Sequence, residues 1–176
     1  MKNLRWMAVV LTLAVASVSL TGQEQQSRVG QLRVVKYDAL KEAVLQNRGK
    51  VVLVDFWAEF CPPCKAGFPH LVQLHRLHAQ QGLAVISVSM DSIRQNNPED
   101  VTRRIRHFLT INGADFTNLL LDETPEVWRE KLRFSTIPCY YVFSRQGKWT
   151  QFGGGGGEKI DYAVMDRLIQ ELLKEK

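Results

Sequence analysis

The fold is decided by residues 51–65, which read VVLVDFWAEFCPPCK. The run is first almost continuously apolar and rich in β-branched and aromatic residues, which is typical of a strand buried on both faces. Proline suits the first turn of a helix because it gives up only an N–H that lacks an intrahelical partner. The stretch therefore predicts a buried strand that leads into a helix, with Cys61 and Cys64 at the start of that helix.

Two thiols at this spacing can close a small ring when they are oxidised. At the N-terminus of a helix, Cys61 is expected to face solvent and to be favoured as a thiolate by the helix dipole. Cys64, one turn further on, is expected to be shielded and to resolve a mixed disulfide formed at Cys61. This pattern predicts redox chemistry.

Two other roles for the cysteine pair stay open at this point. One is a passive structural disulfide, and the other is half of a zinc site. A zinc site needs about four ligands. The nearest candidates are His70, His75 and His78, but His70 points to a different side of the predicted helix from His75. We expect no metal.

The composition is that of an ordinary globular protein, with 45% hydrophobic and 23% charged residues among 176. The formal charge of +5 includes Lys2 and Arg5 at the N-terminus. The remaining positive charge is too small and too dispersed to indicate nucleic-acid binding, so no nucleic-acid partner is expected.

The N-terminal 22 residues differ from the rest. Lys2 and Arg5 precede residues 6–22, which carry no charge, and a polar stretch follows. This arrangement predicts a secretory signal peptide over residues 1–22. The alternative is an uncleaved membrane anchor, although residues 6–22 are at the short limit for spanning a bilayer. Either case predicts an exported protein in the periplasm or another extracytoplasmic space.

The remainder is interpreted as a linker (23–31) and one domain (32–176). Strands and helices alternate first and end in a hairpin and a helix, so the predicted fold class is α/β, a mixed central sheet flanked by helices with a helical insertion in the middle. We predict strands at 32–37, 51–57, 83–90, 119–121, 140–144 and 148–152. Helices are predicted at 39–47, 61–81, 98–112, 125–132 and 160–174, the first and fourth capped by Asp38 and Thr124.

Residues 54–65, with Pro69 five residues after the second cysteine, resemble the active site of thioredoxins. The Pro-Pro dipeptide, the N-terminal segment and the extra helix at 98–112 are more similar to exported TlpA/ResA-type thiol-disulfide reductases. The resemblance implies a thioredoxin-like fold and reductase or exchange activity on disulfide-bearing exported proteins, with electrons from a membrane thiol donor. It implies no cofactor beyond the redox-active Cys61–Cys64 disulfide.

The resemblance also implies roles for further residues. The loop at Thr136, Ile137 and Pro138 matches the loop whose proline is cis and pairs with an extended substrate. Asp55 matches a buried acid whose raised pKa lets it carry a proton for Cys64. The plainer alternatives are a proline at the start of an edge strand and an exposed aspartate on an edge strand. The predicted substrate-binding residues are Trp57, Pro62, Pro63, Ile137 and Pro138.

The sequence departs from the family pattern at three positions. Many TlpA/ResA relatives have Glu where this chain has Gly67, and they often have Asn where it has Asp55. The residue after the cis-proline is usually Thr and here is Cys139. We expect Cys139 to lie near the Cys61–Cys64 pair, where it could trap Cys61 or simply fill a small buried space.

The predicted function is thiol-disulfide oxidoreductase. One alternative is a peroxiredoxin-like peroxidase, which would give antioxidant activity, but such enzymes need Thr three residues before the reactive cysteine, and Ala58 stands there. The other alternative is a non-catalytic binding or chaperone module that keeps the fold for its substrate groove.

Overall fold

The computed structural model describes residues 29–156 and 159–175. The strands are β1 (Arg33–Val35), β2 (Val51–Trp57), β3 (Leu83–Ser89), β4 (Thr117–Leu121), β5 (Cys139–Phe143) and β6 (Trp149–Gly153). The helices are α1 (Tyr37–Leu45), α2 (Pro62–His78), α3 (Pro98–Asn112), α4 (Pro125–Lys131) and α5 (Tyr162–Lys174), and a 3-10 turn (Ala79–Gln81) extends α2.

The predicted signal segment at 1–22 lies outside the described residues, as does most of the predicted linker. Across residues 29–156 and 159–175, no helix has both the length and the apolar character needed to cross a membrane.

The six strands of the described region form one sheet in the order β1-β4-β3-β2-β5-β6. The first four are parallel neighbours, β5 runs antiparallel to β2, and β6 runs antiparallel to β5. The predicted mixed sheet is therefore confirmed. Every residue of β2 is buried because the strand lies in the interior of the sheet, which excludes the edge-strand alternative for Asp55.

Helices cover both faces of the sheet, as the fold class required. Because successive side chains of a strand point to opposite faces, β2 contributes to two separate cores. Trp57 belongs to the core covered by α2, α3 and α5, and Phe56 belongs to the core on the side of α1 and α4. We call these two sides the α2 face and the α1 face.

One predicted helix cap is wrong. Helix α1 begins at Tyr37 rather than after Asp38, so Asp38 lies in the first helical turn. The reason is a distant partner, since the backbone N–H of Tyr37 donates to Glu123 Oε1 at 3.0 Å. Thr124 does occupy the N-cap position of α4, but its side chain accepts no helix N–H.

The helices at the site end where the sequence indicated. Gly82, with a φ of 101°, terminates the 3-10 turn after α2, and this conformation is accessible to glycine at no steric cost. Helix α3 has the predicted bounds, Pro98–Asn112, and Asn97 caps it by accepting from the N–H of Glu99 at 2.9 Å.

Candidate active site

The end of β2 brings the two cysteines to the first turn of α2. Cys61 is the N-cap residue, and its sulfur accepts a hydrogen bond from the backbone N–H of Cys64 at 3.3 Å. Pro62 and Pro63 occupy the first turn of the helix. The two sulfurs are bonded at 2.07 Å. The predicted placement of Cys61 and Cys64 at the positive end of a helix is confirmed.

The expected solvent exposure of Cys61 needs correction. Cys61 is 6% exposed and Cys64 is 1% exposed, so both are buried although Cys61 remains the more accessible. The sulfur of Cys61 lies 4.0 Å from the carbonyl oxygen of Ile137, which covers it from the side. The surface beside it is nevertheless apolar and open, since Phe60 is 69% exposed and both prolines are exposed.

The loop that touches Cys61 has the geometry that the resemblance implied. The Ile137–Pro138 peptide bond is cis, and both residues are half-buried. The N–H groups of Ser135 and Thr136 donate to the carbonyl of Gly154 at 2.9 and 3.2 Å, which ties the loop to the segment after β6. The edge-strand alternative for Pro138 is excluded because β5 lies between β2 and β6.

Trp57 cannot contact a substrate directly, contrary to its assignment among the substrate-binding residues. Its side chain is fully buried on the α2 face. Its ring lies between Phe68 and Phe108, with centroid distances of 5.1 and 4.8 Å. Trp57 therefore supports α2 from below and shapes the site without reaching its surface.

Asp55 is the buried acid that the resemblance implied. It is 1% exposed, and within the described part of the chain neither carboxylate oxygen has a hydrogen-bond partner. Burial raises the pKa of this carboxyl well above its ordinary value. Strand alternation places Asp55 on the α2 face with Trp57, beneath the helix that carries Cys64.

Two tyrosines fill the space beside Gly67, and sequence reasoning did not identify them. The Tyr140 and Tyr162 hydroxyls lie 3.4 Å apart. A Cβ on Gly67 would lie 3.0 Å from the Tyr140 oxygen and would overlap the Tyr162 oxygen. An alanine at this position would therefore require the tyrosine side chains to shift. These residues are far apart in sequence, so no local motif could have shown the contact.

Asp91 is a second buried carboxylate near the cysteines that the sequence analysis missed. It accepts hydrogen bonds from the backbone N–H of Glu59 at 2.9 Å and from the hydroxyl of Ser89 at 2.7 Å. Burial raises its pKa despite these bonds. The bond to Glu59 fixes the turn that precedes Cys61. The sequence could have indicated Asp91 as a site residue, because it follows directly after the buried strand β3, which runs parallel to β2.

Cys139 does not lie on the same side of the sheet as the cysteine pair. It belongs to the core of the α1 face, whereas Cys61 and Cys64 belong to the core of the α2 face. The reason is strand alternation, which turns Cys139 away while its neighbour Tyr140 points toward α2. Burial raises the pKa of the Cys139 thiol to about 12. Cys139 therefore packs in a different core from the pair, which agrees with the alternative that it fills a small buried space.

The histidines considered as zinc ligands have other partners. The ring of His70 lies 2.9 Å from a carboxylate oxygen of Asp166, and that of His75 lies 3.3 Å from Asp115. Among the residues that the structure describes, no group of three or more His, Cys, Asp or Glu side chains could hold a metal ion.

The profile of the AhpC/TSA family matches residues 34–151, which include the buried strand, the cysteine pair and the cis-proline loop. The chain belongs to the AhpC/TSA family. Its fold is thioredoxin-like, and it superposes on a thiol:disulfide interchange protein of the thioredoxin family from Chlorobium tepidum with a TM-score of 0.55. That alignment covers 73% of this chain and 83% of the other at 22% identity, which supports the fold alone.

Two curated relatives of this AhpC/TSA member bear on its chemistry. DipZ of Mycobacterium bovis is 30% identical over 133 residues, which cover 73% of this chain but only 17% of DipZ. The thiol-disulfide oxidoreductase ResA of Halalkalibacterium halodurans is 36% identical over 126 residues, which cover 72% of this chain and 62% of ResA. The chain thus spans a small part of DipZ and less than two thirds of this ResA.

Proposed function

We propose that this protein is a thiol-disulfide oxidoreductase that reduces or exchanges disulfides in exported proteins. One observation carries the proposal: a disulfide at the N-terminus of α2 lies against the cis-proline loop, with the Cys61 sulfur 4.0 Å from the Ile137 carbonyl. The similarity to ResA supports the same chemistry. The uncharged N-terminal segment supports an extracytoplasmic location.

In the first step the reduced protein attacks a substrate disulfide. The thiolate of Cys61 bonds to one substrate sulfur, and the other substrate sulfur leaves as a thiolate with the electron pair of the broken bond. Two features of the chain favour the Cys61 thiolate: the positive end of the α2 dipole and the N–H of Cys64 that points at the sulfur.

In the second step Cys64 resolves the mixed disulfide. The carboxylate of Asp55 accepts the proton of the Cys64 thiol, and the resulting thiolate attacks the Cys61 sulfur. The second substrate sulfur leaves as a thiolate, so two electrons have passed to the substrate and the Cys61–Cys64 disulfide has formed. Burial raises the pKa of this carboxyl, which makes its carboxylate form a stronger proton acceptor.

The substrate docks on the surface around Cys61. An extended segment pairs with the backbone at Ile137 and Pro138, while exposed Phe60, Pro62 and Pro63 supply apolar contact. A membrane thiol donor then returns two electrons to the disulfide. Residues 6–22 hold the protein at the membrane if they are not cleaved.

Insulin reduction with dithiothreitol as the electron source tests the proposal. Wild type should accelerate precipitation of the insulin B chain, and Cys61→Ser should not, because the attacking thiolate is missing. Cys139→Ser is the matched control, since that thiol lies on the α1 face, and it should match wild type. Equal rates for wild type and Cys61→Ser would contradict the proposal and favour the non-catalytic binding module.

The physiological substrates can be captured with Cys64→Ser. The mixed disulfide at Cys61 cannot be resolved in this variant, so partners remain covalently bound and can be identified by mass spectrometry. The double variant Cys61→Ser with Cys64→Ser should capture none. Recovery of the same set of proteins from both variants would show that capture does not depend on Cys61.

A further inference from the structure

A cavity of about 380 Å³ lies on the α1 face, on the other side of the sheet from the disulfide. Its floor consists of the buried side chains of Val54, Phe56 and Tyr141. One wall is a single face of α1, as the helical spacing of its lining residues shows. These residues are Tyr37, Leu40, Lys41, Val44 and Leu45.

The opposite wall comes from the C-terminal half of the chain. Leu132, Phe143 and Trp149 close the cavity, and Trp149 is 49% exposed at its edge. The lining is therefore predominantly apolar. An apolar cavity at the low end of the size range of ligand pockets, with a few polar groups at one side, is the usual form of a small-molecule site.

The charged side chains that line the cavity, in the part of the chain that the structure describes, are all cationic. Lys41, Lys131 and Arg133 line the cavity and are exposed, and the described residues that line it include no Asp or Glu. Lys131 lies 4.7 Å above the centre of the Tyr37 ring, which holds that ammonium group at the cavity. Within the described part of the chain, Lys41 and Arg133 form no ion pair with a carboxylate.

We propose that this cavity binds an amphipathic carboxylate, with its alkyl chain against Val54, Phe56 and Val44 and its carboxylate among the three cations. Charge complementarity selects this occupant. A cationic amphiphile would be repelled at the rim, and a neutral one would gain nothing from the three positive charges. The inference does not rest on the proposed redox function, because the cavity and the cysteines lie on opposite faces of the sheet.

Calorimetric titration of the full chain with decanoate below its micellar concentration tests the proposal. Saturable binding at one site is expected, with weaker binding as ionic strength rises because the rim is exposed. Decanol and decyltrimethylammonium serve as neutral and cationic comparisons of the same chain length, and both should bind more weakly than decanoate.

Substitutions locate the site. Lys41→Gln combined with Arg133→Gln should weaken decanoate binding about fivefold at low salt, the effect of losing two exposed charge contacts. Arg129→Gln is the matched control, because this arginine lies on the same helix as Lys131 but pairs with exposed Glu126 outside the cavity, and it should bind decanoate as wild type does. Val44→Phe should weaken binding further by filling the space.

Several results would overturn the inference. Decanol binding as tightly as decanoate would show that the rim charges have no role. Unchanged affinity in both the rim variant and Val44→Phe would place decanoate elsewhere. Sedimentation showing a dimer that dissociates in Val44→Phe would make a second copy of the chain the occupant. Cys61→Ser should bind decanoate normally, which separates this result from any failure of the redox proposal.

Discussion

Asp55 lies directly opposite Tyr140 in the antiparallel pairing of β2 with β5, and both side chains are buried on the α2 face. A carboxyl and a phenol thus share an apolar layer under the helix that carries the cysteine pair. The carboxyl has no hydrogen-bond partner among the described residues. Burial raises the pKa of both groups, and a charge on either one would oppose ionisation of the other.

Asp55→Asn should change how the stability of the oxidised protein depends on pH. The pKa of Asp55 is higher in the folded than in the unfolded chain. The contribution of Asp55 to the free energy of unfolding is therefore fully present below the unfolded pKa of about 3.9, and it is lost as the pH rises toward the folded pKa. The asparagine variant should lack this loss and be more stable than wild type at pH 7.5 by at least about 1 kcal/mol. Urea unfolding at pH 4 and pH 7.5 measures the difference. Parallel pH profiles would contradict the assignment.

Gly67→Ala should destabilise the protein by about 1–3 kcal/mol, because the added methyl group meets the Tyr140 and Tyr162 hydroxyls. In an open helix the same change would stabilise by about 1 kcal/mol. In a Tyr162→Phe background the cost should fall, since the overlapping oxygen is gone. A double-mutant cycle of urea unfolding measures this coupling. Additive effects would show that the two residues do not meet.

Cys139 should resist alkylation in the folded, reduced protein. Its thiol is buried and its pKa is about 12, so almost no thiolate is present near pH 8. Iodoacetamide should label Cys61 first and should reach Cys139 only after unfolding, as peptide mass mapping would show. Labelling of Cys139 as fast as Cys61 in the folded protein would contradict its burial.

Gly154→Ala should cost more stability than Gly147→Ala, although both glycines have positive φ values of 84° and 85°. At Gly147 an added Cβ meets nothing within 4 Å, so only the backbone cost of roughly 1–2 kcal/mol applies. At Gly154 the Cβ would lie 2.8 Å from the Cys139 sulfur and from the Phe134 Cβ, which should add about 1–3 kcal/mol. Thermal unfolding of both variants tests this, and equal losses would refute the tight contact at Gly154.

The Cys61–Cys64 couple should be reducing. Pro62 and Pro63 bring neither a positive charge nor an N–H donor to the Cys61 thiolate, so the reduced form gains less stabilisation than in a strongly oxidising couple. We expect a potential nearer the roughly −270 mV of thioredoxin than the roughly −120 mV of DsbA. Equilibration against glutathione measures it, and a value well above about −180 mV would refute the expectation.

Local patterns predicted most of the architecture. The apolar run at 51–57 became a strand in the interior of the sheet, and α3 has the expected bounds of 98–112, because these signals act within a few residues of one another. The start of α1 was misplaced because Glu123, far along the chain, binds the first helical N–H. A hydrogen bond to the helix N-terminus from a residue so far away in sequence cannot be predicted from the local sequence pattern.

The cysteine pair and the cis-proline loop of the candidate site were predicted, but the geometry of the site was predicted only in part. The positions of Cys61, Cys64 and the cis bond before Pro138 followed from the motif and the family resemblance. The side of the sheet on which Cys139 points depends on the register between β5 and β2, which a single sequence does not contain. The burial of Trp57 depends likewise on α3, whose Phe108 ring covers it.

The separation of Cys139 from the other two cysteines limits how the native protein can be oxidised. Any two of three thiols could pair in a flexible chain, but in the described fold Cys61 and Cys64 are bonded to each other and Cys139 is packed in the other core. We therefore expect oxidation of the native protein to yield a single isomer and to remove two electrons at a time. A disulfide that includes Cys139 would mark a chain oxidised before its strands had assembled.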